Sequence, residues 1–244
     1  MARLLIIPDV HGRTFWKDAI SKHGDECDKI IFLGDYLDPY QMYEDITRKQ
    51  SMEILNEIIE YKRNNKDKVI LLLGNHDIQY ISKRFFIRAR YDSSNAWKNE
   101  RTFRENLSLF QLTYECENDG KRILFSHAGL MNSFVERNKD YIGEPTSENL
   151  NKLLFTEKGI DILNDISYHR TWASYAQDTG SIVWSDLNEK LDNPADAIVE
   201  MYDYQIFGHT IQDEGYPVII RQWACLDCQR AFILKENNEL EKIH

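Results

Sequence analysis

Five short segments carry side chains of types that can ligate divalent metal ions: Pro8-Asp9-Val10-His11-Gly12, Gly34-Asp35-Tyr36-Leu37-Asp38, Gly74-Asn75-His76-Asp77, Ser126-His127-Ala128-Gly129 and Gly208-His209-Thr210. Asp9 and His11 are two positions apart, so in extended chain their side chains point the same way. Asp35 can offer one carboxylate oxygen to each of two cations. Asn75 supplies a neutral oxygen, and His127 and His209 supply imidazole nitrogens. Oxygen and nitrogen donors without thiolate suit manganese, iron, zinc or nickel better than copper(I). Two cations roughly 3.5–4 Å apart can clamp a phosphoryl group and share a hydroxide nucleophile, since a bound cation lowers the pKa of water towards roughly 7. Any one of these matches alone reads as a turn or a cap. The dinuclear reading rests on five of them in order, each directly after an apolar run.

Those runs are Arg3–Ile7, Lys29–Leu33, Val69–Leu73, Arg122–Phe125 and Gln205–Phe207. Most are continuously apolar, as strands buried on both faces are. Ile54, Leu55, Ile58 and Ile59 fall at helical spacing and predict a helix over Glu44–Asn64. A second helix is expected over Asn95–Phe110, capped by Ser93 or Ser94. The alternation of strand and helix argues for an α/β fold. Asn118-Asp119-Gly120, between two strand-like stretches of Leu112–Phe125, is a hairpin signal. Pro217–Lys235 is also strand-rich. The expectation is therefore one domain over 1–244, with antiparallel strands joined to a mixed sheet, forming two packed sheets flanked by helices. Residues 131–181, with helical spacing in Asn149–Leu154 and Gly159–Ser167, read as a helical insertion or a lid. Ligands gather beyond the carboxyl ends of strands in α/β sheets. If the five strands lay side by side, all five loops would face one crevice.

The 244 residues are 42% hydrophobic and 12% aromatic, ample for a core. A net charge of −10 disfavours nucleic acid and anionic membranes as partners, because both select clustered Lys and Arg. An anionic substrate would then need local attraction, which bound cations supply. No apolar stretch reaches membrane-spanning length, and the first residues run into a strand rather than an export signal, so the cytoplasm is the expected location. Cys27, Cys116, Cys225 and Cys228 suit reduced intracellular thiols.

Taken together, the five segments resemble those of the calcineurin-like metallophosphoesterase superfamily. The likeness is closest to its bacterial and phage serine/threonine phosphatase-type members and to dinucleoside tetraphosphate hydrolases. It runs from Asp9 to His209 and includes the Trp184-Ser185-Asp186 stretch. The resemblance implies a four-layer α/β/β/α sandwich and hydrolysis of phosphate esters. It implies that Asp9, His11 and Asp35 hold a first metal, and that Asp35, Asn75, His127 and His209 hold a second. It further implies that His76 protonates the leaving oxygen and that Asp38 orients His76. Two divalent cations are expected, manganese first, with iron, zinc, nickel or magnesium as alternatives.

The departures bear on the substrate. Pro39 stands where protein phosphatases carry a phosphate-binding arginine after Asp38, Leu187-Asn188-Glu189 replaces a later arginine-bearing stretch, and Asp77 replaces a usual glutamate. A phosphorylated small molecule or nucleotide is therefore expected ahead of a phosphoprotein. A dinucleoside polyphosphate pyrophosphohydrolase, a protein serine/threonine phosphatase and a non-catalytic scaffold are the alternatives. Arg13 is the nearest replacement for the lost arginine, ahead of Arg170 and Arg221. Cys225 and Cys228 lack a second pair and read as structural. Tyr168, Trp172, Tyr175 and Trp184 suit core packing or a stacking surface.

Overall fold

Leu4-Leu5-Ile6-Ile7 is apolar at every position and forms β1 (Leu4–Ile7), buried throughout. In the computed structural model, which describes residues 2–40, 45–82, 90–171 and 176–243, α1 (Phe15–His23) leads from β1 into β2 (Lys29–Phe32). The helix expected over Glu44–Asn64 is α2 (Arg48–Asn64). It starts at Arg48 because Thr47 caps it: the Thr47 side chain accepts from Gln50 N, and Gln50 Oε1 accepts from Thr47 N. Glu44 lies outside the described residues. After β3 (Val69–Leu72) come α3 (Asn75–Ile81) and α4 (Ala96–Glu105).

The helix expected over Asn95–Phe110 is shorter than the periodicity suggested. Asp92, rather than Ser93 or Ser94, receives the N–H groups of Ser94 and Asn95 at its start. At its end Phe110-Gln111 leaves the helical path and becomes β4 (Phe110–Gln111), paired parallel with β3. Burial of Phe110 in the sheet outweighs its continued helical spacing. The hairpin forms where expected: β5 (Thr113–Asn118) and β6 (Lys121–Ser126) pair in a register that sets Asn118 opposite Lys121. Asp119 and Gly120 both have positive φ (47° and 69°), the two-residue turn that matches strand twist.

Residues 131–181 contribute α5 (Asn132–Arg137), α6 (Lys139–Ile142), α7 (Ser147–Lys152) and α8 (Glu157–Leu163). Their Phe134, Ile142, Leu150 and Leu163 are buried in the main core. Then follow α9 (Leu187–Asp192), β7 (Tyr204–Phe207), β8 (Val218–Ile219), β9 (Trp223–Cys225), β10 (Ala231–Leu234) and β11 (Leu240–Ile243).

The strands build two mixed sheets, ordered β11-β10-β1-β2-β3-β4 and β5-β6-β7-β9-β8. Alternate side chains divide between two layers of packing. Leu4, Ile6, Ile31, Ile70 and Leu72 meet Ile123, Phe125, Ile206 and Ala224 between the sheets. Leu5, Ile7, Phe32, Leu71, Leu124 and Phe207 face outward and join the helices. This is the four-layer α/β/β/α arrangement.

The five ligand-bearing strands do not lie side by side. β1, β2 and β3 are neighbours in one sheet, and β6 and β7 are neighbours in the other. Continuous apolar runs look alike in either sheet, which is why the sequence did not separate them. The crevice is formed where the two sheets end together.

Candidate metal centre

His11, Asp35, Asp38 and His209 all have left-handed backbone, at φ of 45°, 53°, 57° and 67°. Non-glycine residues rarely adopt this region, and where they do they cluster at functional sites. The turns at the strand ends aim these side chains into the crevice. Gly74 and Gly208 leave the room they need. A Cβ on Gly74 would stand 2.1 Å from Asp35 Oδ1, and one on Gly208 would stand 2.0 Å from Asp9 Oδ1.

Two groups of donors result. Asp9, His11 and Asp35 place ligand atoms within 4.8 Å of one another, and so do Asp35, His127 and His209. Asn75 joins the second group, its Oδ1 3.0 Å from both His127 Nε2 and His209 Nδ1. Asp35 Oδ2 lies between the groups, 3.6 Å from His11 Nε2 and 3.4 Å from His127 Nε2. Thus the structure brings together all six sequence-predicted ligands, all buried.

The donor set fits cations. His11 Nδ1 faces the Leu37 carbonyl at 2.8 Å and His127 Nδ1 faces that of Leu33 at 2.9 Å. A carbonyl only accepts, so each ring donates from Nδ1 and a neutral ring turns an Nε2 lone pair inward. The His127 lone pair, Asn75 Oδ1 and His209 Nδ1 then face one another at 3.0–3.1 Å. A cation among these atoms, or a proton on one of the facing ring nitrogens, resolves the contact. Burial alone would lower the His127 pKa, but the charges of Asp35 and Asp9 carry it up to about 10. Burial holds His11 down to about 3 and His209 well below the ordinary value, and burial raises Asp9. Burial opposes ionisation of Asp35 too, yet His127 and His76 keep its carboxyl low.

His76 stands beside this cluster, its N–H on Asp35 Oδ1 at 2.9 Å and its ring 5.1 Å from that of His11. His76 Nδ1 lies 3.1 Å from Asp38 Oδ2. Asp38 also accepts from Gln79 Nε2 at 2.5 Å and from Tyr80 Oη at 2.6 Å, so its carboxylate is held on both oxygens. Burial lowers the His76 pKa, but Asp35 and Asp38 outweigh it and the net direction is up. A histidine so held can carry a proton to the crevice.

A match to the calcineurin-like phosphoesterase family spans residues 2–213. The chain belongs to that family. It is a metal-dependent phosphoesterase, a hydrolase of phosphoric esters. Solved structures that share its fold include two phosphatases. One is a cold-active protein-tyrosine phosphatase of a psychrophilic Shewanella sp., 14% identical, with TM-score 0.56 over 100% of this chain and 81% of that one. The other is a protein serine/threonine phosphatase from Saccharomyces cerevisiae, 13% identical, with TM-score 0.53 over 99% of this chain and 79% of that one. No helix among the described residues of the phosphoesterase is long and apolar enough to cross a membrane.

Other residues hold the phosphoesterase site in shape. Arg13 is 4% exposed and donates to the backbone carbonyls of Asp9 and Val10, bracing the first loop. Arg170 reaches the rim beside His209. It pairs with Asp186 at 2.5 Å and donates to His209 O at 3.2 Å and Thr210 Oγ1 at 2.8 Å. Arg221 is on an exposed bend. The Cys225 thiol is 3.2 Å from Gly208 O and 3.4 Å from Thr210 O, flanking His209. Trp184 meets the edge of His209 at 5.9 Å, Tyr168 is 42% exposed, and Trp172 and Tyr175 lie outside the described residues.

Sequence reasoning missed three neighbours. Tyr40 stands edge-on to His11 at 4.7 Å. Asp77 accepts from the N–H groups of Asp35, Gly74 and Tyr36. Asp227 is buried, with Oδ2 lacking a hydrogen-bond partner among the described residues. Only Asp77 had a local signal, its place in the Gly-Asn-His-Asp segment.

Proposed function

We propose that this phosphoesterase hydrolyses phosphate monoesters at a dinuclear centre. Asp9, His11 and Asp35 would hold one cation, and Asp35, Asn75, His127 and His209 the other. The observation that carries this reading is the position of Asp35 Oδ2 between the inward nitrogens of His11 and His127. Two divalent cations there would supply a clamp on the phosphoryl oxygens and would lower the pKa of water to roughly 7. Manganese is the first candidate, since nitrogen and oxygen donors without thiolate suit it. His76 donates its proton to the departing ester oxygen, and Asp38 keeps the ring oriented and its proton in place. Arg170 fits the phosphate contact better than Arg13, because it reaches the rim while Arg13 braces buried carbonyls. The filled ligand set argues against a scaffold that has lost its chemistry.

The test is a substrate panel on manganese-loaded protein. His76→Asn should keep both metals and slow alkyl phosphates by about 10²–10⁴-fold, while sparing p-nitrophenyl phosphate, whose leaving group needs little protonation. Equal losses on both substrates would remove His76 from the acid role. Asp35→Asn should lose metal and turnover together by metal analysis and assay; full activity in that variant would refute the bridge.

A further inference from the structure

Beside the Asp38-Pro39 turn is a cavity of about 270 Å³ lined by Asp38, Pro39, Ile46, Arg48 and Arg90. Arg90 donates from Nη2 to the Pro39 carbonyl at 2.9 Å and lies over Tyr40, 4.3 Å from the ring centroid. The same ring stands beside the metal cluster, 4.7 Å from the ring of His11 and 6.1 Å from that of His76. Arg90 and the cluster thus share Tyr40 as a neighbour.

The charges of the two arginines are not equally matched. Arg48 pairs with Asp92 at 2.7 Å. Arg90 has no carboxylate within ion-pair distance among the described residues, in a chain of net charge −10. Asp38 does not fill that role, because its oxygens are turned to Tyr80, Gln79 and His76. A guanidinium has five N–H donors, and one here is on Pro39. The rest suit a planar anion or a phosphate.

We propose that this cavity is a second anion subsite, which takes a carboxylate or phosphate carried on the leaving group of the substrate. The proposal rests on the monoesterase reading above. His76 protonates the ester oxygen that departs, so the remainder of the leaving group lies on the His76–Asp38 side, and Asp38 also lines the cavity. At about 270 Å³ it is smaller than pockets that enclose a whole ligand, roughly 300–1,000 Å³, and suits one charged end of a substrate. The selected class is phosphate monoesters with a second anionic group about one ring's breadth from the ester oxygen. This also gives the Pro39 departure a consequence: the arginine at this turn arrives from a distant segment and faces the leaving group.

The experiment titrates manganese-loaded protein with phenylphosphonate and with 4-phosphonobenzoate, which differ by one carboxylate across a ring. The carboxylate should tighten binding at least about tenfold. Arg90→Ala should erase that gain while leaving phenylphosphonate affinity intact, which also reports correct folding. Arg90→Gln keeps a donor for the Pro39 carbonyl without the charge, and should erase it equally. Equal affinities in the unaltered protein, or a gain that survives both variants, would overturn the subsite. A parallel assay of phenyl phosphate and 4-carboxyphenyl phosphate separates the two claims. If the phosphonates bind as expected and neither ester is hydrolysed, the subsite stands and the monoesterase reading falls.

Discussion

Asp77→Asn tests how the phosphoesterase holds Asp35, the proposed bridge. Asp77 is fully buried; its Oδ2 accepts from Asp35 N at 2.8 Å and Gly74 N at 2.9 Å, and its Oδ1 accepts from Tyr36 N at 3.0 Å. Burial and the Asp35 charge outweigh the N–H groups of Gly74 and Tyr36 and carry this carboxyl up to about 8. Asparagine keeps one carbonyl oxygen. With that oxygen on Asp35 and Gly74, the amide nitrogen faces the Tyr36 N–H, donor against donor. One buried N–H then loses its partner, at about 1–3 kcal/mol, and above pH 8 two charge-assisted bonds also become neutral ones. The expected loss is about 2–4 kcal/mol, a large share of a typical 5–15 kcal/mol. Urea denaturation of the metal-free variant measures it. The same bonds hold Asp35 at a φ of 53°. Their loss should weaken manganese binding by about 10–100-fold in a chelator competition, as loss of an outer partner of a ligand does. Stability unchanged within about 0.5 kcal/mol would refute the hydrogen-bond reasoning. A destabilised variant with unaltered manganese affinity would refute the coupling of Asp77 to Asp35.

Two further outcomes are expected. Manganese at about one hundred times its dissociation constant should stabilise the fold by about 2.7 kcal/mol per site, a rise in Tm of roughly 5–10 °C over chelated protein; an unmoved Tm in calorimetry would count against the metal centre. Lys190 is 1% exposed, donates from Nζ to Ser185 Oγ at 2.5 Å, and has its pKa lowered from 10.5 to about 8 because burial outweighs the Glu189 charge. The folded state thus releases this proton before the unfolded state does, so the contribution of Lys190 makes stability rise from pH 8 to 10.5. Below pH 8 both states hold the proton and the folded state bears a cost on the order of 3 kcal/mol. Lys190→Met should flatten that rise and gain about 1–3 kcal/mol at neutral pH. The same rise in Lys190→Met, followed by urea melts across the window, would show that another group causes it.

The candidate ligands were legible because each is tied to a local pattern, an apolar strand running into a polar turn. The hairpin was legible for the same reason, since Asp119-Gly120 has the turn chemistry in adjacent residues. What the sequence did not disclose is non-local. Phe110 continues a helical spacing, yet its pairing with Leu71 makes it a strand residue. β3 and β6 are similarly apolar, so nothing in their side chains assigns them to different sheets. Arg90 reaches Pro39 across about fifty residues of chain, and no spacing rule links them.

The deepest omission is conformational. His11, Asp35, Asp38 and His209 have no sequence mark of left-handed backbone, a region that favours glycine. Held there, each costs about 1–3 kcal/mol, so neighbouring contacts must determine it. Asp77 holds Asp35, Asp9 accepts the His209 N–H, and Leu37 O fixes the ring of His11. These contacts join segments as far apart as Asp9 and His209, which is why the strain cannot be read from any one of them. It follows that the ligand geometry is set mainly by the fold before a cation arrives. A cation would then enter among donors already in place rather than reorganise the turns around them.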